Sequence, residues 1–182
     1  VGPRERQRPG QRLVRHDAER EHVGAAVGPG LAGELLGVDS ERWRHTAGVA
    51  ARAAELADAV PADDQALLVA GAWLHDIGYA PALRATGFHP LDGADELRRR
   101  HWEERLCGLV AHHSGAAFVA EARGLTDELR RYPEEQSALA DALTYADQTV
   151  GPDGVRMRFE DRVADMLRRH GPDSPNARVH IR

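Results

Sequence analysis

An adjacent histidine and aspartate, His75-Asp76, end an apolar stretch of the chain and are followed by Ile77-Gly78. Further residues of the same two types lie on both sides of this pair, in the order His45, His75-Asp76, His89, His112-His113 and Asp147. Imidazole and carboxylate together suit Fe, Mn, Co or Zn better than Ca²⁺ or Mg²⁺ alone. This many ligands could hold two adjacent ions, an arrangement that generates hydroxide and directs it at phosphorus.

Each of these residues also has an ordinary explanation when it is taken alone. An isolated histidine such as His45 is commonly a half-buried, hydrogen-bonded side chain, and His89-Pro90 fits the first turn of a helix. The pair His75-Asp76 is harder to explain in this way, because charged groups seldom end a buried apolar run without a partner. The order of the whole set therefore predicts a metal site. The other histidines fall in polar segments and are predicted to lie at the surface: His16, His22, His101, His170 and His180.

Composition predicts the architecture that must position these ligands. The chain has 182 residues, of which 42% are hydrophobic and only 5% aromatic, and alanine, leucine and arginine are abundant while β-branched residues are sparse. This favours a single all-α domain. We expect residues 1–30 to be a disordered segment, residues 31–170 to form the domain, and residues 171–182 to be a loose tail.

Apolar periodicity predicts where the helices lie. An apolar repeat at helical spacing runs from Ser40 to Pro61, and a second stretch, apolar on nearly all sides, leads to His75-Asp76 and is expected to end at Gly78. Later helices are predicted at 89–100, 102–113, 136–150 and 159–169. Neighbouring helical side chains point about 100° apart, so His75 and Asp76 converge on one ion most easily where their helix ends.

Cysteine and hydropathy limit the class of protein. Cys107 is the only cysteine, which rules out an internal disulfide and a thiolate metal cluster and fits a reducing cytoplasm. No stretch approaches the roughly 18 apolar residues of a membrane helix, and the N-terminus shows no signal-peptide pattern. We therefore expect a cytoplasmic protein without a membrane partner.

The basic residues limit how the chain could bind phosphate. All 24 are arginine, so a Walker A lysine and a Schiff-base lysine are both excluded, and any phosphate clamp must use guanidinium groups. Arg44 and Arg84 are the first candidates, followed by Arg156 and Arg158. The net charge of −5 argues against a large nucleic-acid interface.

The chain resembles the HD-domain superfamily of metal-dependent phosphohydrolases over roughly Arg44 to Val150. The resemblance rests on five segments: Arg44-His45-Thr46, Leu74-His75-Asp76-Ile77-Gly78, His89-Pro90-Leu91-Asp92-Gly93-Ala94, Ala111-His112-His113 and Tyr145-Ala146-Asp147. It implies a compact bundle of five or more helices and a hydrolase acting on phosphate esters or anhydrides.

The resemblance also implies a ligand set. According to this resemblance, the first ion is held by His45, His75, Asp76 and Asp147. Asp76 then bridges to a second ion, which is held by His89, His112 and His113. Two divalent transition metals are implied, with Fe or Mn ahead of Co, Ni or Zn. A bridging water between the ions would attack phosphorus, with His75, Asp76 and His113 as the catalytic set. His113 could ligate, or lie just behind the ligands and donate to the substrate.

Several alternatives stay open at this point. The HPxxG and HH elements also resemble HD-GYP cyclic-di-GMP phosphodiesterases, but Ser114-Gly115-Ala116 replaces the residues that name that group, so this substrate is not expected. Small HD hydrolases that act on nucleotides, such as symmetrically cleaving diadenosine tetraphosphate hydrolases, are a closer analogy. A di-iron oxygenase and a non-catalytic sensing module share the fold. A nucleotide-like small molecule is the expected partner, and a homo-oligomer is an open possibility.

Overall fold

The computed structural model describes residues 27–171, which are helical with short 3-10 turns and contain no strand. The all-α class predicted from composition is confirmed. Helices lie at 27–36 (α1), Glu41–Glu55 (α2), Gln65–Leu74 (α3), His89–Arg99 (α4), Glu104–His112 (α5), Ala116–Arg123 (α6), Thr126–Leu129 (α7), Ala138–Gln148 (α8) and Phe159–His170 (α9). The 3-10 turns are Ala57–Ala59, Ala62–Asp64, Ile77–Tyr79, Pro81–Leu83 and His113–Gly115.

The ends of the predicted domain lie at the limits of what is described. Most of the segment 1–30 and of the tail 171–182 falls outside the described residues. Residues 27–30, however, are helical and continue into α1, and Gly28 is buried. Helix α1 therefore includes residues 27–30, which belong to the segment that composition predicts to be disordered.

Helix α3 is the centre of the bundle, as its all-round apolar sequence predicts. It contacts α2, α5 and α8, and Leu67, Leu68 and Leu74 are fully buried. Burial of each such side chain contributes about 1.5–3 kcal/mol. This packing fixes the C-terminal end of α3, which carries His75 and Asp76.

Helix α2 begins at a side-chain cap and brings one ligand candidate inward. The Ser40 hydroxyl accepts a hydrogen bond from the Trp43 amide at 3.0 Å, satisfying one free N–H of the first turn. Its buried face carries His45 one turn before Val49. His45 is thus a polar member of an otherwise apolar stripe that faces the core.

A close backbone contact explains Gly78 better than the helix stop that the sequence predicts. Helix α3 ends at Leu74, and the chain continues through the 3-10 turn Ile77–Tyr79 with Ile77 still buried. A Cβ added to Gly78 would lie 2.0 Å from the His89 carbonyl oxygen and 2.6 Å from the Gly93 amide nitrogen. The glycine is needed so that this turn can pack directly on α4.

A left-handed turn separates α5 from α6. Helix α5 ends at His112, and Ser114 and Gly115 then adopt φ values of 49° and 73°. Left-handed backbone is uncommon for a residue other than glycine, so Ser114 is held there by its surroundings. His113, just before this turn, already has an extended backbone (φ −61°, ψ 151°), and its side chain is buried.

Helix α9 is amphipathic, as predicted, and lies at the edge of the bundle. Val163, Met166 and Leu167 are half-buried against the domain. Within residues 27–171, no helix combines the length and apolar character needed to cross a membrane.

Candidate metal centre

Six side chains that are far apart in the sequence converge where α2, α3, α4 and α8 meet the turn after α5. Their nitrogen and carboxylate atoms form three overlapping groups, within each of which the atoms lie no more than 4.8 Å apart. The six are His45, His75, Asp76, His89, His113 and Asp147. The sequence analysis named all of them.

The first part of the cluster joins two histidines to two carboxylates. His45 Nε2 lies 3.0 Å from Asp147 Oδ1 and 3.7 Å from Asp76 Oδ2. His75 Nε2 lies 3.4 Å from the same Asp76 oxygen and 3.7 Å from the same Asp147 oxygen. Two imidazoles and two carboxylates therefore share one small volume, and each of the four is nearly fully buried.

The second part of the cluster uses the other oxygen of Asp76. Asp76 Oδ1 lies 3.3 Å from His89 Nε2 and 3.9 Å from His113 Nε2, and the two histidine nitrogens are 3.3 Å apart. One carboxylate thus directs one oxygen at each part of the cluster. This is the geometry that a bridging ligand requires.

Backbone carbonyls orient three of the imidazoles. The Nδ1 atoms of His75 and His113 donate to the carbonyls of Ala72 and Val110 at 2.8 and 2.7 Å, in each case three residues earlier in the chain. His45 Nδ1 donates to the Gly151 carbonyl at 3.0 Å. A hydrogen bond at Nδ1 fixes the ring and presents Nε2 to the cluster, as in metal-binding histidines.

The surroundings of His75 Nε2 test whether a metal fits the site. This atom is completely buried and has no hydrogen-bond partner among the described residues. Leaving such an atom unpaired costs about 1–3 kcal/mol. A cation at the point where His75, Asp76 and Asp147 meet would satisfy it, so the residues present fit a metal.

The electrostatics of the cluster favour a bound cation. Burial would raise the pKa of Asp147, but the hydrogen bond from His45 and the charge of His75 hold it below its usual range. Burial would lower the pKa of His75, but the charge of Asp76 outweighs this and raises it to about 9. Burial holds the pKa of His89 and of His113 below the usual range. In the ion-free chain, the charges of protonated His75 and of Arg42 therefore offset those of the two ionised carboxylates, and a bound cation would take the place of the His75 proton.

Further side chains hold the ligands in place. The Ser114 hydroxyl donates to Asp147 Oδ2, and Gln148 Nε2 approaches the same oxygen at 3.4 Å. Sequence reasoning missed Ser114, because its role depends on a left-handed conformation with no residue signature. The hydroxyl explains why a non-glycine residue occupies that position.

Arg42 and Tyr79 support the other side of the cluster. Arg42 Nη1 donates to Asp76 Oδ2 at 2.7 Å, and its guanidinium lies 3.9 Å above the centre of the Tyr79 ring. Tyr79 in turn stacks on His89, with ring centres 4.0 Å apart. Burial raises the pKa of Tyr79 to about 12, so its phenol is neutral at physiological pH.

The structure does not bring His112 to the cluster. Its Nε2 donates to the Tyr132 carbonyl at 3.2 Å, and its Nδ1 lies 4.0 Å from Glu134. His112 is the last residue of α5, whereas His113 follows the helix end, so the two side chains diverge. His112 therefore lies outside the three groups of clustered ligand atoms.

The structure also places the predicted phosphate residues away from the cluster. Arg44 is exposed and donates to the Asp39 carbonyl at 2.8 Å, and Arg84 is exposed outside the cleft described below. Arg42 lies in that cleft instead. It stands three residues before His45, on the same face of α2, a signal that the sequence offered.

A cleft of about 280 Å³ opens onto the cluster. Its wall combines arginines with apolar side chains: Arg42, Phe88, Val119, Arg162, Met166 and Arg169. The last three belong to α9, which closes one side of the cleft. The site therefore joins a group of metal-type ligands to a partly cationic, partly apolar cavity.

Comparison with known proteins gives one family and one distant relative. The HD domain family matches residues 42–150, which confirms the resemblance drawn from the motifs. A tRNA (cytidine(56)-2'-O)-methyltransferase of Picrophilus torridus is 30% identical over 125 residues, which are 65% of this chain and 36% of that protein. The chain thus spans little more than a third of the length of that relative. No solved structure matches the chain.

Proposed function

The chain belongs to the HD-domain family of metal-dependent phosphohydrolases, and on that premise we propose that it hydrolyses phosphate esters or anhydrides of a small, nucleotide-like molecule. The observation that carries the proposal is the buried, unpartnered Nε2 of His75 at the centre of two carboxylates and three further imidazoles. A buried donor set of this kind suits divalent transition metals.

We propose that the cluster holds two ions. His45, His75, Asp76 and Asp147 would hold the first, and Asp76, His89 and His113 the second. Iron or manganese is the first choice, with cobalt, nickel or zinc as substitutes. When bound, such ions lower the pKa of a water molecule and offset negative charge on phosphate oxygens.

Hydrogen bonds within the protein fix the orientation of the candidate ligands before any substrate binds. Carbonyl contacts hold the rings of His45, His75 and His113 in one orientation, and Asp76 is fixed by the short bond from Arg42. Groups held in place in advance need not reorganise during the reaction. Arg42 lies in the cleft, and we propose that its guanidinium N–H groups other than the one bound to Asp76 donate to a phosphate oxygen.

The cleft supports a small phosphorylated substrate. A volume of about 280 Å³ is at the lower end of ligand cavities. Phe88, Val119 and Met166 give it an apolar wall on which a base or another apolar group could lie. Guanidinium groups in the cleft favour an anionic substrate such as a phosphate ester over a neutral one such as a polyol.

Methyl transfer is not part of the proposal. The relative that carries this activity in its name is matched over 36% of its length. The six clustered imidazole and carboxylate side chains are metal ligands by their chemistry, and they all lie within the matched HD domain.

The test is metal analysis of the purified chain, followed by a screen of nucleotides and 4-nitrophenyl phosphate esters with Mn²⁺, Fe²⁺, Co²⁺ and Ni²⁺. We expect phosphate release that requires added metal and is abolished by chelation. Absence of phosphate release with every metal, together with oxygen uptake in the presence of a polyol or phosphonate, would show an oxygenase instead. A chain that binds no metal at neutral pH would show a non-catalytic module.

A further inference from the structure

Arg162 differs from the other cleft arginines in how few contacts it makes. It lies on α9, its side chain is only 16% exposed, and it lines the cleft. Its guanidinium makes no hydrogen bond to any residue in the described range. Its two ion pairs, to Asp147 and Asp165, have N–O distances of 3.9 and 4.0 Å, too long for hydrogen bonds.

The carboxylates near Arg162 are already occupied by other donors. Asp147 accepts hydrogen bonds from His45 and Ser114, and Asp165 accepts them from Arg168 and Arg169. The two ion pairs of Arg162 therefore leave its guanidinium without a hydrogen bond among residues 27–171. The same side chain lines the cleft.

The remaining cleft arginines each hydrogen-bond to a protein carboxylate. Arg42 donates to Asp76 and stacks on Tyr79, while Arg169 binds Asp165 and approaches Glu41. Arg162 is a planar, mostly buried guanidinium at the edge of a metal-type cluster, with no hydrogen bond to the described residues, and its shape matches the geometry of a phosphate group.

From this geometry we propose that Arg162 is a substrate-binding residue that contacts a non-bridging oxygen of the phosphoryl group lying next to Asp147. The inference rests on the proposed phosphohydrolase function. Arg162 lies outside residues 42–150, the segment that the HD family matches. Under this proposal, α9 supplies a substrate contact from beyond that segment.

The test compares full-length, metal-loaded Arg162→Gln and Arg162→Lys with Arg168→Gln. Arg168 is a matched control, because it lies on the same helix, pairs with the same Asp165 and has a side chain that is 70% exposed. Orthophosphate binding is measured by calorimetry, and KM and kcat are measured for 4-nitrophenyl phosphate. Metal content and melting temperature are recorded for each variant.

We expect Arg162→Gln to weaken orthophosphate binding about 10- to 100-fold, the effect of losing a charge-assisted hydrogen bond to an anion. KM should rise to a similar extent, with a smaller change in kcat and unchanged metal content. Arg162→Lys, which keeps the charge and loses the fork, should lie between wild type and glutamine. Arg168→Gln should match wild type within about twofold, a change of less than half a kcal/mol.

Two results would overturn the inference in different ways. If the wild type hydrolyses the ester and binds orthophosphate but Arg162→Gln does both equally well, Arg162 is not a substrate contact and the proposed function stands. If the wild type does neither with any metal, the proposed function fails and the role of Arg162 fails with it.

Discussion

Two neighbouring histidines show that residue type alone does not decide which side chain reaches the cluster. His112 and His113 have the same side chain, yet only His113 Nε2 reaches Asp76 and His89, while His112 contacts the Tyr132 carbonyl. The difference arises from the end of α5 and the left-handed Ser114 that follows. These two residues therefore provide a matched test of the second ion site.

We predict that His113→Ala loses the second ion and that His112→Ala does not. Removing His113 leaves that site with Asp76 and His89 alone, whereas His112 contributes no atom to it. Metal analysis should find about one ion per chain in His113→Ala and about two in His112→Ala, and His113→Ala should lose at least about 100-fold in phosphate release.

His112→Ala also serves as the stability control, since the loss of its hydrogen bond should cost about 1 kcal/mol in either metal state. Equal metal loss in both variants would show that the doublet acts as a unit and that the assignment is wrong.

At the residue scale, the sequence pointed to the six side chains that cluster and missed the residues that support them. Histidine and aspartate are scarce enough in apolar surroundings that their order points to a site. The positions of the arginines point to no site, because every basic residue in this chain is arginine. Helical spacing from His45 could have singled out Arg42, but only the fold shows that Arg162 reaches the cleft and that Arg44 and Arg84 do not.

Close packing between elements, rather than any single side chain, holds the two parts of the cluster together. The turn Ile77–Tyr79 lies directly against α4, and Gly78 makes this possible because it has no Cβ. The same contact sets the separation of Asp76 from His89.

Gly78→Ala should therefore disrupt both stability and metal binding. A methyl group placed about 2 Å from the His89 carbonyl cannot be absorbed by a side-chain movement, so the turn and α4 must separate. We expect a loss of about 3 kcal/mol in unfolding free energy, measured by chemical denaturation, and weaker binding of the second ion.

Gly30→Ala is the matched control for this substitution. No described atom lies within 4 Å of a Cβ placed at Gly30, which is in α1, so alanine there should be neutral or stabilise the chain by up to about 1 kcal/mol. Equal effects of the two substitutions would contradict the role of close packing at Gly78.

At the element scale, periodicity predicted the main helices because their apolar faces are continuous. It missed α7, a single turn within a charged connector, and it placed the end of α3 at Gly78 instead of Leu74. Both differences have one cause. Short turns are stabilised by contacts with the rest of the molecule, and those contacts leave no periodic signal.

On the scale of the whole molecule, the cluster joins distant parts of the chain. His45 on α2 and Asp147 on α8 are 102 residues apart and in hydrogen-bond contact. Bound ions would therefore cross-link most of the bundle, and the same ions would serve both stability and chemistry. Helix α9, which lies beyond the matched family segment, forms one wall of the cleft.

Asp76 directs one carboxylate oxygen at each part of the cluster, so the proposed dinuclear centre depends on it more than on any other residue. Metal content should therefore be measured by mass spectrometry on the wild-type chain and on Asp76→Ala, both purified from metal-supplemented cells without chelators. A dinuclear centre predicts about two transition-metal ions per chain in the wild type, and almost none in Asp76→Ala together with loss of phosphate release. A metal-free wild type at neutral pH, or an Asp76→Ala variant that keeps both ions and wild-type turnover, would contradict it.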